Sequence, residues 1–161
     1  MAIDFKKIIE KLVSADLDFV LVGGFAAAAY GSSLVTYDLD ICALTSPENI
    51  KKLRKALKDI NPRHRISQTK PSFLEEPKVL EGINHIYLET DLGVLDILST
   101  ITGVGDFESL KRQASEINVF GHKCKIISIS DLLKSKKSLK RPKDLEVAIE
   151  LEAIISKLKK D

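Results

Sequence analysis

The apolar run Phe19-Val20-Leu21-Val22 stops at Gly23-Gly24 and passes directly into the alanine-rich stretch Phe25 to Tyr30. β-Branched residues favour strands and alanine is the strongest helix former. The pattern predicts a strand over Asp18 to Val22, a turn at the two glycines and a helix over Phe25 to Tyr30. A strand that feeds a helix with no linker needs a sheet to pair in and a sheet face on which the helix can lie.

The rest of the chain alternates in the same way. Phe5, Ile8, Ile9, Leu12 and Val13 fall on one helical face, with Asp4 as N-cap and Ile3 and Ile8 at staple spacing. Thr36 to Ala43 reads as a second strand. Ser46-Pro47-Glu48 starts a helix whose buried face is Ile50, Leu53, Leu57 and Ile60. Asn61 to Lys78 holds three prolines and the basic residues Arg63, Arg65 and Lys70, and reads as an irregular loop. Ile83 to Glu89 and Gly93 to Leu98 are strands joined at Thr90-Asp91-Leu92. Asp106 caps a short helix through Ala114, and Ile117 to Phe120 with Lys123 to Ile127 form a hairpin about Gly121-His122. Ser130 caps a helix through about Ser138, which Arg141-Pro142 breaks. Leu145, Ala148, Ile149, Ile155 and Leu158 mark the buried face of a last helix. This order predicts an α+β (α/β) fold: a mixed sheet with helices packed on it and a helical C-terminal end. No linker divides it, so residues 1–161 are expected to form one domain, with a core over about 1–128 and C-terminal helices over about 130–160.

Composition narrows the function. The chain is 44% hydrophobic and 30% charged, enough apolar material for a packed core. The apolar run Phe19 to Tyr30 spans about 12 residues, against the roughly 20 that cross a bilayer. The acids and bases of the first dozen residues are unlike a secretory signal. A cytoplasmic protein with no membrane partner is expected. Cys42 and Cys124 read as strand residues and are too few for a disulfide framework. His64, His85 and His122 are scattered and read as surface or loop positions, so no Cys/His metal cluster is expected. The net charge is +2, yet from His122 onward 11 Lys and Arg stand against six Asp and Glu. Within that basic end, Lys134, Lys136, Lys137 and Lys140 read as a solvated face that RNA could use.

The chemistry lies between Phe19 and Cys42. Unpaired N–H groups and the helix dipole favour anions at a helix N-terminus, and glycine lets a phosphate approach the backbone. Asp38 and Asp40 follow on the second strand. Side chains alternate along a strand, so the two acids share one face while Leu39 and Ile41 face the core. Two carboxylates roughly 7 Å apart on one strand repel unless something neutralises them. A hard divalent cation with oxygen ligands does so and keeps room for phosphate oxygens. Asp96, between Leu95 and Ile97, is costly without a partner and is the candidate third carboxylate. Taken singly, the glycines fit an ordinary turn, the acids a solvated strand face, and Asp96 an ion pair. Tyr30 and Tyr37 flank the motif as core or rim residues. A dinucleotide-binding unit is disfavoured because Gly-x-Gly-x-x-Gly is absent, and a Walker-type NTPase because Gly-x-x-x-x-Gly-Lys-Ser/Thr is absent.

Gly-Gly at a strand–helix turn, a later Asp-Leu-Asp and a third Asp on a neighbouring strand resemble the nucleotidyltransferase superfamily related to DNA polymerase beta. The likeness is to its minimal members, including toxin–antitoxin and antibiotic nucleotidyltransferases. The tail from Ile129 to Leu145, with its Arg-Pro-Lys-Asp turn, is also similar. The resemblance implies transfer of NMP from an NTP to a hydroxyl on a small molecule, a protein or an RNA, with release of pyrophosphate. It implies two Mg²⁺ ions, with Mn²⁺ as substitute, about 3.5–4 Å apart on Asp38, Asp40 and Asp96. Asp96 would also be the general base, with the Gly23 and Gly24 amides near the phosphates. Many relatives carry Arg near the position of Leu34. Ser32, Ser33, Lys137, Arg141 and Lys143 are the candidates to replace its nucleotide contacts. The alternative is a catalytically degenerate protein that keeps the fold and acts as a binding or antitoxin-like partner.

Overall fold

The computed structural model describes residues 3–75 and 85–160. In chain order they form α1 (Phe5–Ser14), β1 (Val20–Val22), α2 (Gly23–Tyr30), β2 (Asp38–Cys42) and α3 (Pro47–Leu57), which a 3-10 turn over Lys58–Ile60 continues. Next come β3 (Arg63–His64), β4 (His85–Thr90), β5 (Gly93–Leu98), β6 (Thr100–Ile101), β7 (Gly105–Asp106) and α4 (Phe107–Gln113). The chain continues through β8 (Ser115–Val119), β9 (His122–Ile126), α5 (Ile129–Leu139) and α6 (Pro142–Lys160).

Seven strands build one sheet in the order β3-β4-β5-β2-β1-β9-β8. It is mixed: β2 runs parallel to β5 and β1 parallel to β9, while β1–β2 and the outer pairs are antiparallel. Val20, Leu21 and Val22 of β1 are all buried, as a central strand covered on both faces requires. The fold is the expected α+β arrangement. α1 packs on α3, and α2 lies on β1 and β2 and touches α5 and α6. No helix among the described residues is long and apolar enough to cross a membrane.

The first half follows its sequence signals closely. Asp4 caps α1 by accepting the Lys7 N–H, and Ser46 caps α3 by accepting the Asn49 N–H. Ile50, Leu53, Leu57 and Ile60 are buried as their spacing demands. Asp106 caps α4 through the Ser109 N–H. β2 is shorter than predicted because the Thr36 hydroxyl donates to the Asp38 carbonyl, a local bond that keeps residues 36–37 out of the ladder.

Other boundaries need correction. The segment predicted irregular from Asn61 contains β3, because Arg63 and His64 pair with Glu89 and Leu88 and bury Phe73 beneath them. The end of that predicted loop, and Ile83 and Asn84 of the predicted strand, lie outside the described residues. None of the three histidines is a loop residue: His64 lies in β3, His85 opens β4 and His122 opens β9. The hairpin turns at Phe120-Gly121, both with positive φ, one residue earlier than expected.

The N-cap of α5 is Ser128, whose hydroxyl accepts the Asp131 N–H, and not Ser130, which is exposed inside the first turn. Ser128→Ala should therefore cost about 1 kcal/mol in urea unfolding, with Ser130→Ala within about 0.5 kcal/mol of wild type. The predicted face of α6 is rotated. Leu145, Ile149 and Leu158 are 44%, 68% and 60% exposed. The helix buries Ala148 as expected, but beside it Asp144, Val147 and Leu151, because Asp144 turns inward to meet two cations from the preceding turn and helix.

Candidate functional site

A cleft of about 540 Å³ opens where α2, α5 and α6 meet the sheet, a volume in the range of small-molecule sites. Its floor is the carboxylate-bearing face of β2 and β5. Asp38 and Asp40 project into it while Leu39 and Ile41 are fully buried on the opposite face. β5 runs parallel to β2 with Asp96 directly beside Asp40, which places the two α-carbons about 5 Å apart. One cleft thus receives all three predicted acids.

The start of α2 forms the wall next to Asp40. Val22 pairs with Asp40 across the sheet, and the helix begins at the next residue with no side-chain cap. Gly23 has φ +67°, and a Cβ there would lie 2.3 Å from Asp40 Oδ2. Only glycine fits on both counts. A Cβ on Gly24 would meet the Thr36 hydroxyl at 2.9 Å. The uncapped helix start therefore sits in close contact with the carboxylate strand, with its first N–H groups available to an anion.

The opposite wall contains Arg65, from the segment expected to be an irregular loop. Arg65 continues β3 by donating its backbone N–H to the Tyr87 carbonyl, and its guanidinium takes both Asp96 oxygens, Nε to Oδ1 at 3.0 Å and Nη2 to Oδ2 at 2.6 Å. The guanidinium carbon stands 5.2 Å from the Tyr87 ring centroid. The available signal was the alternation Arg63-x-Arg65, which puts both arginines on one strand face. Asp96, 6% exposed, is thus partnered in the fold itself.

The C-terminal helices supply the cations. Lys136, on the same face of α5 as buried Leu132, is 8% exposed and pairs with Asp144 at 3.3 Å. Arg141 clasps the same carboxylate from the turn before α6. The reading of Lys136 as part of a solvated lysine face is therefore wrong. The four-residue spacing from Leu132 was the signal that separates it from the other lysines. Burial alone would raise the Asp144 carboxyl, but hydrogen bonds and charge from Arg141 and Lys136 outweigh it and hold it below the ordinary carboxylate range. Asp144→Ala strands the Lys136 ammonium and should cost about 3–5 kcal/mol in urea unfolding. With the wild type, stability from this group is full above the ordinary Asp pKa and is lost as pH falls through the lowered one.

Of the predicted nucleotide contacts, Gly23, Gly24, Ser32, Arg141 and Lys143 line the cleft. Ser33 is held by Glu150, which accepts from its N–H and hydroxyl and from the Ser32 hydroxyl. Lys137 is exposed and paired with Glu152, away from the cleft-lining set. Leu34 also lines the cleft.

The electrostatics are those of a site short of positive charge at its centre. Asp40 is pushed up to about 6, first by burial, then by the charges of Asp96 and Asp38, against a smaller opposing pull from Lys136 and Arg65. Asp96 is also raised, by burial more than Arg65 lowers it. Among the described residues the Asp38 and Asp40 carboxylates have no hydrogen-bond or ion-pair partner. No three His, Cys, Asp or Glu among them converge as a ready metal cage. Arg65 holds the oxygens that would complete one. The donor chemistry nevertheless fits a divalent cation: two unpartnered carboxylates on one strand, a third in register beside them, and a glycine where any side chain would fill the space against Asp40.

No protein-family model matches the chain, and no curated protein is similar to it in sequence. Solved structures are similar to it along nearly its whole length. The lincosamide antibiotic adenylyltransferase LnuA with lincomycin bound superposes at TM-score 0.64 and 18% identity, over 96% of this chain and 99% of that one. ANT(2")-Ia in complex with adenylyl-2"-tobramycin does so at 0.57 and 13%, over 97% and 95%. An antigenic nucleotidyltransferase-like protein from Paracoccidioides brasiliensis does so at 0.54 and 19%, over 90% and 72%.

Proposed function

We propose, from the premise that the chain has the nucleotidyltransferase fold, that it is a divalent-metal-dependent enzyme. It moves a nucleoside monophosphate from a nucleoside triphosphate to a hydroxyl acceptor and releases pyrophosphate. The observation that carries the reading is the convergence of Asp38, Asp40 and Asp96 on one cleft floor beside the uncapped start of α2.

The chain's own groups divide the work. The Gly23 and Gly24 end of α2 and the cations Lys136, Arg141 and Lys143 receive the triphosphate. The acceptor oxygen attacks the α-phosphorus, the bond from that phosphorus to the bridging oxygen breaks, and the hydroxyl proton leaves to a carboxylate. Asp96 is the carboxylate on the side away from the phosphate-binding cations, and Arg65 fixes its orientation. A divalent cation held by Asp38 and Asp40, with Asp96 as third ligand, would neutralise the gathered charge and polarise the phosphate. Positioning and charge stabilisation account for most of the catalysis in such transfers. The likeness to two antibiotic-modifying adenylyl structures makes ATP the first donor to test and a small hydroxyl compound the first acceptor.

Calorimetric titration of ATP, GTP, CTP and UTP in the presence and absence of Mg²⁺ tests the reading. Binding of at least one nucleotide that requires the metal is expected. Absence of binding by all four would leave a partner-binding protein on a retained fold.

A further inference from the structure

The two ends of the cleft differ in chemistry. Along the sheet the order runs from the α2 start at β1, through Asp38 and Asp40 on β2, to Asp96 on β5, then Tyr87 and His85 on β4 and Arg65 beyond β3. The helix start and the cations of α5 and α6 claim the first end for phosphate. The other end is left for the acceptor, and hydrogen-bond donors line it.

Arg65 uses Nε and Nη2 on Asp96, which leaves Nη1 and its two N–H donors without a partner among the described residues, on a side chain 30% exposed. Packing on the Tyr87 ring holds the guanidinium in place. Two residues along the same strand face, His85 accepts the Ser99 N–H at Nδ1, which fixes its proton on Nε2 as a second donor. The two imidazole and phenol rings stand 6.1 Å apart between their centroids. Of the acids that line the cleft, Asp96 is held by Arg65 and Asp144 by Lys136 and Arg141, and Asp38 and Asp40 would be taken by the proposed cation. With Asp96 sharing its charge with such a cation, the positive charge of Arg65 would be offered to whatever lies beside it.

The geometry points to Arg65 and His85 as an acceptor-recognition wall that selects a hydroxyl compound carrying an anionic group over one carrying an ammonium group. The inference rests on the nucleotidyl-transfer reading above. Donor groups fixed on strands recognise a carboxylate or phosphate at small cost in side-chain ordering. A juxtaposed like charge rejects an amine. Tyr87 acts through Arg65 as a positioning residue.

The test uses the full chain with Mg²⁺ and α,β-methylene-ATP, whose bridge blocks transfer. Calorimetry first measures binding of the analogue. The complex is then titrated with three matched sugars: glucosamine, glucose and glucose 6-phosphate. Glucose 6-phosphate should bind roughly tenfold more tightly than glucose, with glucosamine weakest, as one charge-assisted hydrogen bond gives. Arg65→Gln and His85→Phe should each shrink the ratio of glucose 6-phosphate affinity to glucose affinity toward one. The pair guards against one variant failing to fold. Failure of the analogue to bind would sink the nucleotidyl-transfer reading and this inference with it. Analogue binding with equal affinity for the three sugars, detectable or not, or with glucosamine preferred, would overturn the acceptor wall alone.

Discussion

Asp40→Ala is expected to abolish Mg²⁺-dependent ATP binding in calorimetry while the far-UV circular dichroism spectrum stays that of the wild type, and that outcome would support the proposed metal site. Asp38→Ala should do the same. The loss should exceed the roughly 10–100-fold that removal of an outer-shell partner costs at a metal site, because each variant removes one of the proposed ligands itself. The fold survives because both side chains face the cleft and the buried residues of β2 are Leu39, Ile41 and Cys42. In EDTA the Asp40 variant should be more stable than the wild type at neutral pH. The folded carboxyl titrates near about 6, above its ordinary value, so the native state holds the proton more tightly than the unfolded chain does. Its stabilising contribution is full below the ordinary Asp pKa, declines as pH rises and is lost above about 6, where ionisation costs about 3 kcal/mol. Asp40→Asn should remove that slope in thermal melts between pH 4 and pH 7, on the order of the same energy. Unchanged nucleotide affinity in both alanine variants would remove the two carboxylates from the site.

Gly23→Ala carries the second large effect. The residue lies in the left-handed region, where a Cβ costs about 1–2 kcal/mol. That Cβ would also press on the Asp40 carboxylate. The variant should lose nucleotide binding and show the greater loss of stability in urea. Gly121→Ala is its control: φ is again positive, but nothing lies within 4 Å of the added carbon. It should show the backbone cost alone, about 1–2 kcal/mol, and bind ATP as the wild type does. Equal stability losses with ATP affinity intact in both would mean that the contact between the helix start and Asp40 is dispensable.

The legible parts of the sequence were those where one residue's surroundings are set by its neighbours in the chain. Asp4, Ser46 and Asp106 cap the helices that follow them, and Asp38-Leu39-Asp40 alternates as a half-buried strand must. Asp96 was legible too, because an acid between Leu95 and Ile97 demands a partner. The identity of that partner was not. Arg65 reaches Asp96 only because β3 adds to β4 at the far edge of the sheet, a pairing with no local signature. Lys136 was obscured by three other lysines within seven residues, and only the inward turn of Asp144 distinguishes it. The face of α6 misled for the same reason. Its apolar spacing allows two stripes, and a buried ion pair selects the one with fewer large side chains.

The place of β1 in the sheet bears on how the protein is made. Its three buried residues are flanked by β2 and by β9, and the second partner lies more than one hundred residues downstream. Val20, Leu21 and Val22 leave the ribosome long before residues 122–126 exist to cover their free edge. During synthesis the chain therefore carries an unpaired apolar strand. Pairing so distant in sequence makes this step of folding slow. The same step seats the C-terminal helices over the carboxylates, so a nascent chain has no closed cleft.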